Sequence, residues 1–211
     1  MIYVYGSLTI GTPSNSGSIT LETADNDSQD SYCVYATESV TTNGGTLNIN
    51  AGGATGSNSS YGIFAQNEVN LTKGAVKVYG GSDEATNHSI YGVYSNGTIS
   101  IGTEGSESNN DLSLNIIVNQ AEFNSVGIYL NTSSGKAISI NSGLINIIAK
   151  GFIDSEYNVA ANCIYSGGAI NLPGGILELY AAGQADNNCT MHAAGNNQII
   201  NMDVGSFEID N

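Results

Sequence analysis

The sequence contains no arginine and no tryptophan, and its only basic residues besides two histidines are four lysines: Lys73, Lys77, Lys136 and Lys150. Against these stand 19 acidic residues, which gives a formal net charge of −15. Proteins that bind nucleic acid neutralise many phosphates with Lys and Arg, so this composition excludes a nucleic-acid partner. The absence of arginine also removes the bidentate group that usually holds substrate carboxylates and phosphates.

Long hydrophobic runs, cysteine and proline are scarce as well. The longest apolar runs, residues 115–118 and 144–149, are far shorter than the ~20 residues of a membrane span, so we expect no span in this chain. Three cysteines are too few for a disulfide framework and lack the paired spacing of a zinc site. Two prolines against 27 glycines indicate many flexible tight turns, which argues against collagen and against helical proteins.

A repeat of about thirty residues runs through the whole chain. Each of its seven units opens with a four-residue strand whose third position is aliphatic or Met and whose fourth is aromatic in six units and His192 in the last. Successive fourth positions are 30, 29, 30, 35, 36 and 27 residues apart. A fixed period of this length is typical of solenoids and other repeat architectures.

Two further short strands complete each unit, and they are clearest in the third. Residues 69–71 read apolar, polar, apolar, and residues 75–78 follow a glycine with the same alternation. Alternation with period two predicts strands with one buried face. One such coil cannot bury its apolar face alone and must stack on its neighbours.

The sequence therefore predicts an all-β fold, a parallel β-helix with three short strands per coil, three sheets and about seven coils in a single domain over residues 1–211. We expect a right-handed coil, following the general rule for parallel crossovers. A globular β-sandwich is the alternative. The sequence begins inside a first strand and ends in a third strand, so we expect it to belong to a longer surface protein, and to be capable of self-association end to end or through sheet edges.

The aromatic fourth positions form the first candidate site. Alternation from the inward third position predicts that they face outward, beside small second positions such as Gly62 and Gly92. A row of rings can stack on the apolar faces of sugars, and solenoids also use aromatic ladders to hold coils in register. The row begins at Tyr5. The predicted carbohydrate-binding residues within it are Tyr35, Phe64, Tyr94, Tyr129 and Tyr165.

Acidic loops form the second candidate site. Asp25, Asp27 and Asp30 lie at i, i+2 and i+5 in a turn rich in Asn and Ser, and Ca²⁺ prefers oxygen ligands at such short spacing. The loop lacks the glycine and the distal Glu of an EF-hand, so solvated acidic loops are the competing interpretation. Two further loops, at residues 83–84 and 154–156, contain two acidic residues each and are weaker candidates of the same kind.

Catalysis is the third interpretation. Parallel solenoids host polysaccharide lyases and hydrolases, which use clustered acids or a poised base. The acids on strand faces are Glu178 and Glu208, which the repeat places one rung apart, about 5 Å. Neither Lys77 nor Lys136 has an acidic partner of evident purpose nearby in the sequence, so we predict no catalytic residues.

The repeat unit resembles that of a known protein family. Its pattern is Tyr-Gly-Ile/Val-Tyr, then apolar-polar-apolar, then Gly-Gly-x-Leu-x-Ile with a closing Gly-Gly, clearest at residues 61–81 and 32–53. It resembles the repeat of cell-surface β-helix proteins of clostridia and related gut bacteria, including carbohydrate-binding-domain and adhesin-like proteins. The resemblance implies a right-handed β-helix, and some of those relatives bind acidic plant polysaccharide and calcium. This sequence lacks the Asp-Gly-rich turns of the calcium-binding relatives.

These observations together favour a non-catalytic, extracellular carbohydrate-binding or adhesin-like module of a bacterial surface protein. Its expected partner is a polysaccharide or a cell-surface glycan, and Ca²⁺ is the one candidate cofactor. The alternatives are a lyase- or hydrolase-like β-helix enzyme and a purely structural stalk.

Overall fold

The protein is a parallel β-solenoid. The structure is a computed structural model that describes residues 1–14, 16–26, 28–81, 87–106, 111–132, 135–151, 160–182, 189–194, 200–202 and 206–210. These residues form β-strands and no helix, and every strand pairing among them is parallel. With no helix in the described part of the chain, none is present there that could cross a membrane. The predicted all-β solenoid is confirmed.

The strands follow one another around the coils in chain order. They are β1 (Ile2–Val4), β2 (Leu8–Ile10), β3 (Ser18–Glu22), β4 (Ser31–Ala36), β5 (Ser39–Ala51), β6 (Ser59–Ala65), β7 (Glu68–Gly80), β8 (Asn87–Ser95), β9 (Thr98–Ile101), β10 (Leu112–Val118), β11 (Ala121–Leu130), β12 (Ala137–Ile140), β13 (Leu144–Lys150), β14 (Ala160–Ser166), β15 (Ala169–Leu172), β16 (Ile176–Ala182), β17 (Cys189–Ala193), β18 (Ile200–Met202) and β19 (Ser206–Asp210).

The strands form two sheets rather than the three predicted. The opening strands of the coils make a seven-stranded first sheet in the order β1-β4-β6-β8-β11-β14-β17. All the other strands belong to one twelve-stranded second sheet. They merge because β5 and β7 each run through two predicted strands without interruption. Glycines at the bend, Gly44, Gly45 and Gly74, have positive φ values of 126°, 74° and 96°, which only glycine adopts readily.

The number of fully stacked coils is slightly lower than the seven predicted. Of the seven strands in the first sheet, β1 and β17 are the edges, so five have a neighbour on both sides. The solenoid therefore has about five turns that are covered above and below, and a partly covered coil at each end.

The hydrophobic core fills the inside of the coils. In β7, β10, β13 and β16 alternate residues point inward and stack in register, and side chains such as Val78, Ile116 and Ile147 are fully buried. Facing them from the first sheet are Ile63 and Ile128, which are fully buried too. Burying such side chains contributes about 1.5–3 kcal/mol each, and stacking makes that burial continuous from coil to coil.

The period-two alternation breaks in the first sheet. In β6, Gly62 and Ile63 are consecutive and both buried, while Tyr61 and Phe64 on either side lie in a separate aromatic cluster. A Cβ on Gly62 would collide with the Val78 side chain across the core and with a carbonyl of the next coil. Second positions therefore face inward, and the prediction that they flank the rings on the outer face is wrong.

The register of the first coil also differs from the sequence alignment. Tyr3, not Tyr5, pairs with Tyr35, while Ile2 pairs with Val34. Aligning Tyr5 with Tyr35 would place Tyr3 beside Cys33, at an inward position where the other described coils hold small residues: Gly, Cys or Thr. The core has no room for a tyrosine ring there, so β1 shifts by two residues.

Candidate functional site

The aromatic fourth positions form a continuous stack along the solenoid. Parallel pairing in register places equivalent side chains of neighbouring coils one strand spacing apart, about 4.8 Å. Centroids of adjacent rings are 4.4–5.1 Å apart and their planes lie within 11° of parallel. The stack consists of Tyr3, Tyr35, Phe64, Tyr94, Tyr129 and Tyr165, so the structure brings all five predicted binding residues together.

A second, shorter stack lies beside the first, on the same outer surface. It contains Tyr32, Tyr61 and Tyr91, the first positions of their strands, with centroids 4.8 and 5.2 Å apart. The two stacks meet edge to face, as in the Tyr61–Phe64 pair with centroids 5.3 Å apart and planes at 87°. We call the two stacks together the aromatic double column. The sequence analysis missed the shorter stack because it considered the fourth positions only.

Stacking determines which parts of the rings a ligand can reach. Each inner ring of the longer stack has a ring above and a ring below, so both of its faces are covered. Phe64 and Tyr94 are only 6% and 9% exposed, whereas Tyr35, Tyr129 and Tyr165 are half-buried. The double column therefore presents ring edges and phenolic oxygens to solvent, rather than the ring faces on which a sugar would stack.

Burial within the double column changes the acidity of its phenols. Loss of hydration is the largest cause at Tyr129, where it raises the pKa to about 12 from the usual value of about 10. The pKa values of Tyr61, Tyr91 and Tyr94 are raised in the same direction, again mainly by burial. These hydroxyl groups are neutral hydrogen-bonding groups throughout the physiological range.

A row of amide side chains runs alongside the double column. Asn131 Nδ2 donates to Asn96 Oδ1 at 2.9 Å, and Asn96 Nδ2 donates to Gln66 Oε1 at 2.7 Å. Gln66 Nε2 in turn donates to the Tyr35 hydroxyl oxygen at 3.3 Å. We call Gln66, Asn96 and Asn131 the amide row. The sequence analysis missed it, although each member follows an aromatic fourth position by two residues.

Two of the three predicted calcium ligands bind groups of the protein itself. Asp25 Oδ1 accepts a hydrogen bond from the backbone N–H of Gly53 at 2.5 Å. Asp30 Oδ1 accepts one from the backbone N–H of Ser59 at 2.7 Å, and Asp30 Oδ2 accepts one from the Tyr32 hydroxyl at 3.1 Å. Both carboxylates thus join adjacent coils. Asp27 lies outside the described residues, so the calcium site stays a prediction.

Other acidic groups give little sign of a metal site. The pairs at residues 83–84 and 154–156 also lie outside the described part of the chain. Within that part, no group of three or more His, Cys, Asp or Glu side chains is arranged to hold a metal ion.

The two acidic residues predicted to lie one strand spacing apart occupy equivalent positions of adjacent strands. Glu178 of β16 pairs in register with Glu208 of β19. The exposed Glu178 Oε2 accepts a hydrogen bond from Asn146 Nδ2 at 3.4 Å. The position of the pair agrees with the spacing read from the repeat.

Comparison with protein-family models finds no match for this chain, and comparisons with the curated proteins and with the solved structures find none either. The class that the fold defines is thus a parallel β-solenoid repeat protein, and its activity has to be argued from its own surface.

Proposed function

We propose that this protein is a non-catalytic, extracellular glycan-binding module of a bacterial surface protein, adhesin-like in role. The observation that carries the proposal is the double column with its amide row, which forms a strip of phenol groups with amides on three successive coils. Tyr94 and Asn96 contribute to it from one coil, and Tyr129 and Asn131 from the next. Such groups both donate and accept hydrogen bonds, as sugar hydroxyls require.

The geometry suits an extended chain rather than a compact ligand. The strip runs along the solenoid axis, and equivalent groups recur about every 4.8 Å. A linear polysaccharide lying along this axis would meet hydrogen-bonding groups of similar kind on successive coils. Neighbouring contacts on one rigid chain then reinforce one another.

The resemblance of the repeat to clostridial cell-surface proteins supports the cellular setting in this proposal. Tyr35, Phe64, Tyr94, Tyr129 and Tyr165 are the proposed binding residues, the tyrosines through their hydroxyl groups and Phe64 through its ring edge. The same proposal includes Ca²⁺ as a cofactor, held by Asp25, Asp27 and Asp30.

The test is retention of the purified chain on a glycan array and on immobilised polysaccharides, with Ca²⁺ and again with a chelator. We expect the Asn96→Ala/Asn131→Ala double variant to weaken retention at least about tenfold, since it removes two amides from the strip. The matched control is Tyr5→Ala, which truncates a side chain that is 86% exposed and lies outside the longer stack. Retention that the double variant leaves unchanged would contradict the proposed strip.

A structural stalk is the second candidate, favoured by the complete covering of the inner ring faces. Tyr94 packs between Phe64 and Tyr129 with centroids 5.0 and 5.1 Å away. Tyr94→Ala should therefore cost about 3–5 kcal/mol of stability, whereas Tyr94→Phe keeps the stack. A stalk predicts that Tyr94→Phe matches the unchanged protein in every binding assay, while the binding strip predicts weaker retention.

A further inference from the structure

The outer face of the second sheet carries an apolar stripe, two exposed tyrosines with two half-buried isoleucines between them, that neither the repeat analysis nor the proposed strip uses. Tyr79 of β7, Ile117 of β10, Ile148 of β13 and Tyr180 of β16 are paired in register, one coil after another. Tyr79 and Tyr180 are 49% and 44% exposed. Their neighbours within this stripe are isoleucines rather than rings, so they are not enclosed in a ring stack as the rings of the double column are.

A polar column lies next to this stripe, two residues earlier in each strand. It contains Lys77, Asn115, Asn146 and Glu178, again in register. Residues two apart in a strand share a face, so the stripe and the polar column form one surface. The Asn115 Oδ1 atom is buried without a hydrogen-bond partner, and Asn146 makes a long bond of 3.4 Å to Glu178.

A shallow groove of about 280 Å³ runs beside these amides. Its lining combines polar and apolar side chains from three successive coils: Ser113, Asn115, Leu144, Asn146, Ile176 and Glu178. Leu144 and Ile176 are exposed at its rim. Apolar surface with a few polar groups is the usual character of a site for a small or chain-like ligand.

We propose that this surface, the Tyr79–Tyr180 face, is a second glycan-binding site, selective for neutral linear polysaccharides. The inference rests on the proposed glycan-binding function and adds both a separate site and a ligand class. The exposed tyrosines offer apolar platforms for sugar rings, and the amide column offers partners for sugar hydroxyls.

The charge of the protein disfavours acidic polymers on this face. Lys77 is the one cation of the polar column, but the net charge of the protein is −15 and Glu178, not Lys77, lines the groove. A uronate polymer would be repelled by Glu178 and by the net charge, whereas a neutral chain is not.

The spacing of the two exposed tyrosines suits an extended ligand. The two tyrosines stand three rungs, about 14 Å, apart, so both can be engaged by an oligosaccharide but not by a single sugar.

The test is affinity gel electrophoresis of the chain in mixed-linkage glucan, xylan, galactomannan and polygalacturonate. We expect at least one neutral polymer to retard the protein and polygalacturonate not to. The Tyr79→Ala/Tyr180→Ala double variant should bind that polymer at least about tenfold more weakly. Tyr5→Ala is the matched control for an exposed tyrosine off this face, and an unchanged thermal midpoint shows that each variant is folded.

The other outcomes distinguish a failure of the second site from a failure of the proposed glycan-binding function. Retention that Tyr79→Ala/Tyr180→Ala leaves intact and Asn96→Ala/Asn131→Ala abolishes would overturn the second site and keep the proposed function. Equal retardation by polygalacturonate would overturn the selectivity. Concentration-dependent dimerisation that the tyrosine double variant abolishes would show a second copy on this face and overturn the inference. Retardation by no polymer would overturn both proposals.

Discussion

At the scale of single residues, the second position of the strands in the first sheet limits the core most tightly. Gly92 of β8 occupies it, and a Cβ there would lie 2.5 Å from Ile116 Cγ2 and 2.6 Å from the carbonyl oxygen of Gly127. We expect Gly92→Ala to lower the free energy of unfolding by about 1–3 kcal/mol through overpacking. Equilibrium denaturation measures the change.

The matched control for this substitution is Ser113→Ala in the same coil. Ser113 lies on the exposed outer face of β10, so its truncation should change stability by less than about 0.5 kcal/mol. If Gly92→Ala proves as harmless as this control, the inward orientation of the second position is incorrect.

At the scale of elements, the aromatic double column should make the solenoid sensitive to alkali. Burial raises the pKa values of Tyr61, Tyr91, Tyr94 and Tyr129, the last to about 12, whereas unfolded tyrosines titrate near pH 10. Above about pH 10 the unfolded chain therefore binds fewer protons than the folded one. Stability is complete below that pH and falls as the pH rises through the folded pKa values.

Urea unfolding at several pH values, with phenolate absorbance followed in parallel, measures this loss. Tyr129→Phe removes one of the titrating groups and should make the fall in stability with pH less steep. A native protein whose tyrosines all titrate near pH 10 would contradict the burial of these rings.

Prediction of the double column from sequence succeeded for one stack and failed for the other. The regular steps of the fourth position identified Tyr35, Phe64 and Tyr94 as a row. The first positions, Tyr32 and Tyr61, carried no prediction, since strict alternation with an inward third position implies that they face inward too. Alternation fails here because the second position also faces inward, so each strand has two consecutive buried residues. Only packing against the opposite wall of the coil reveals this.

At the scale of the whole molecule, the charge imbalance should set the response to salt. The net charge is −15, and the described residues contain one ion pair, between Lys73 and Asp111 at 3.8 Å. Raising ionic strength from about 0.01 M to about 0.15 M shortens the screening length from about 30 Å to about 8 Å. Because repulsion between negative charges dominates, screening by salt should stabilise the fold. We expect the thermal midpoint to rise by about 2–4 °C for each kcal/mol of stability gained.

Calorimetry in NaCl measures this rise, and a midpoint that falls with salt would contradict it. CaCl₂ and MgCl₂ at matched ionic strength extend the experiment to the predicted calcium site. A larger rise in Ca²⁺ that Asp27→Asn abolishes would support a site at Asp25, Asp27 and Asp30.

The sequence by itself determined the architecture, because the thirty-residue period and the short alternating strands are local properties of the chain. It could not determine the register of β1, the union of the second and third strands in one sheet, or the engagement of Asp25 and Asp30 by the next coil. Those features depend on which atoms of a neighbouring coil lie opposite. The shift from Tyr5 to Tyr3 shows the reason most directly: the available space inside a coil is set by its neighbours, and only the tertiary structure contains them.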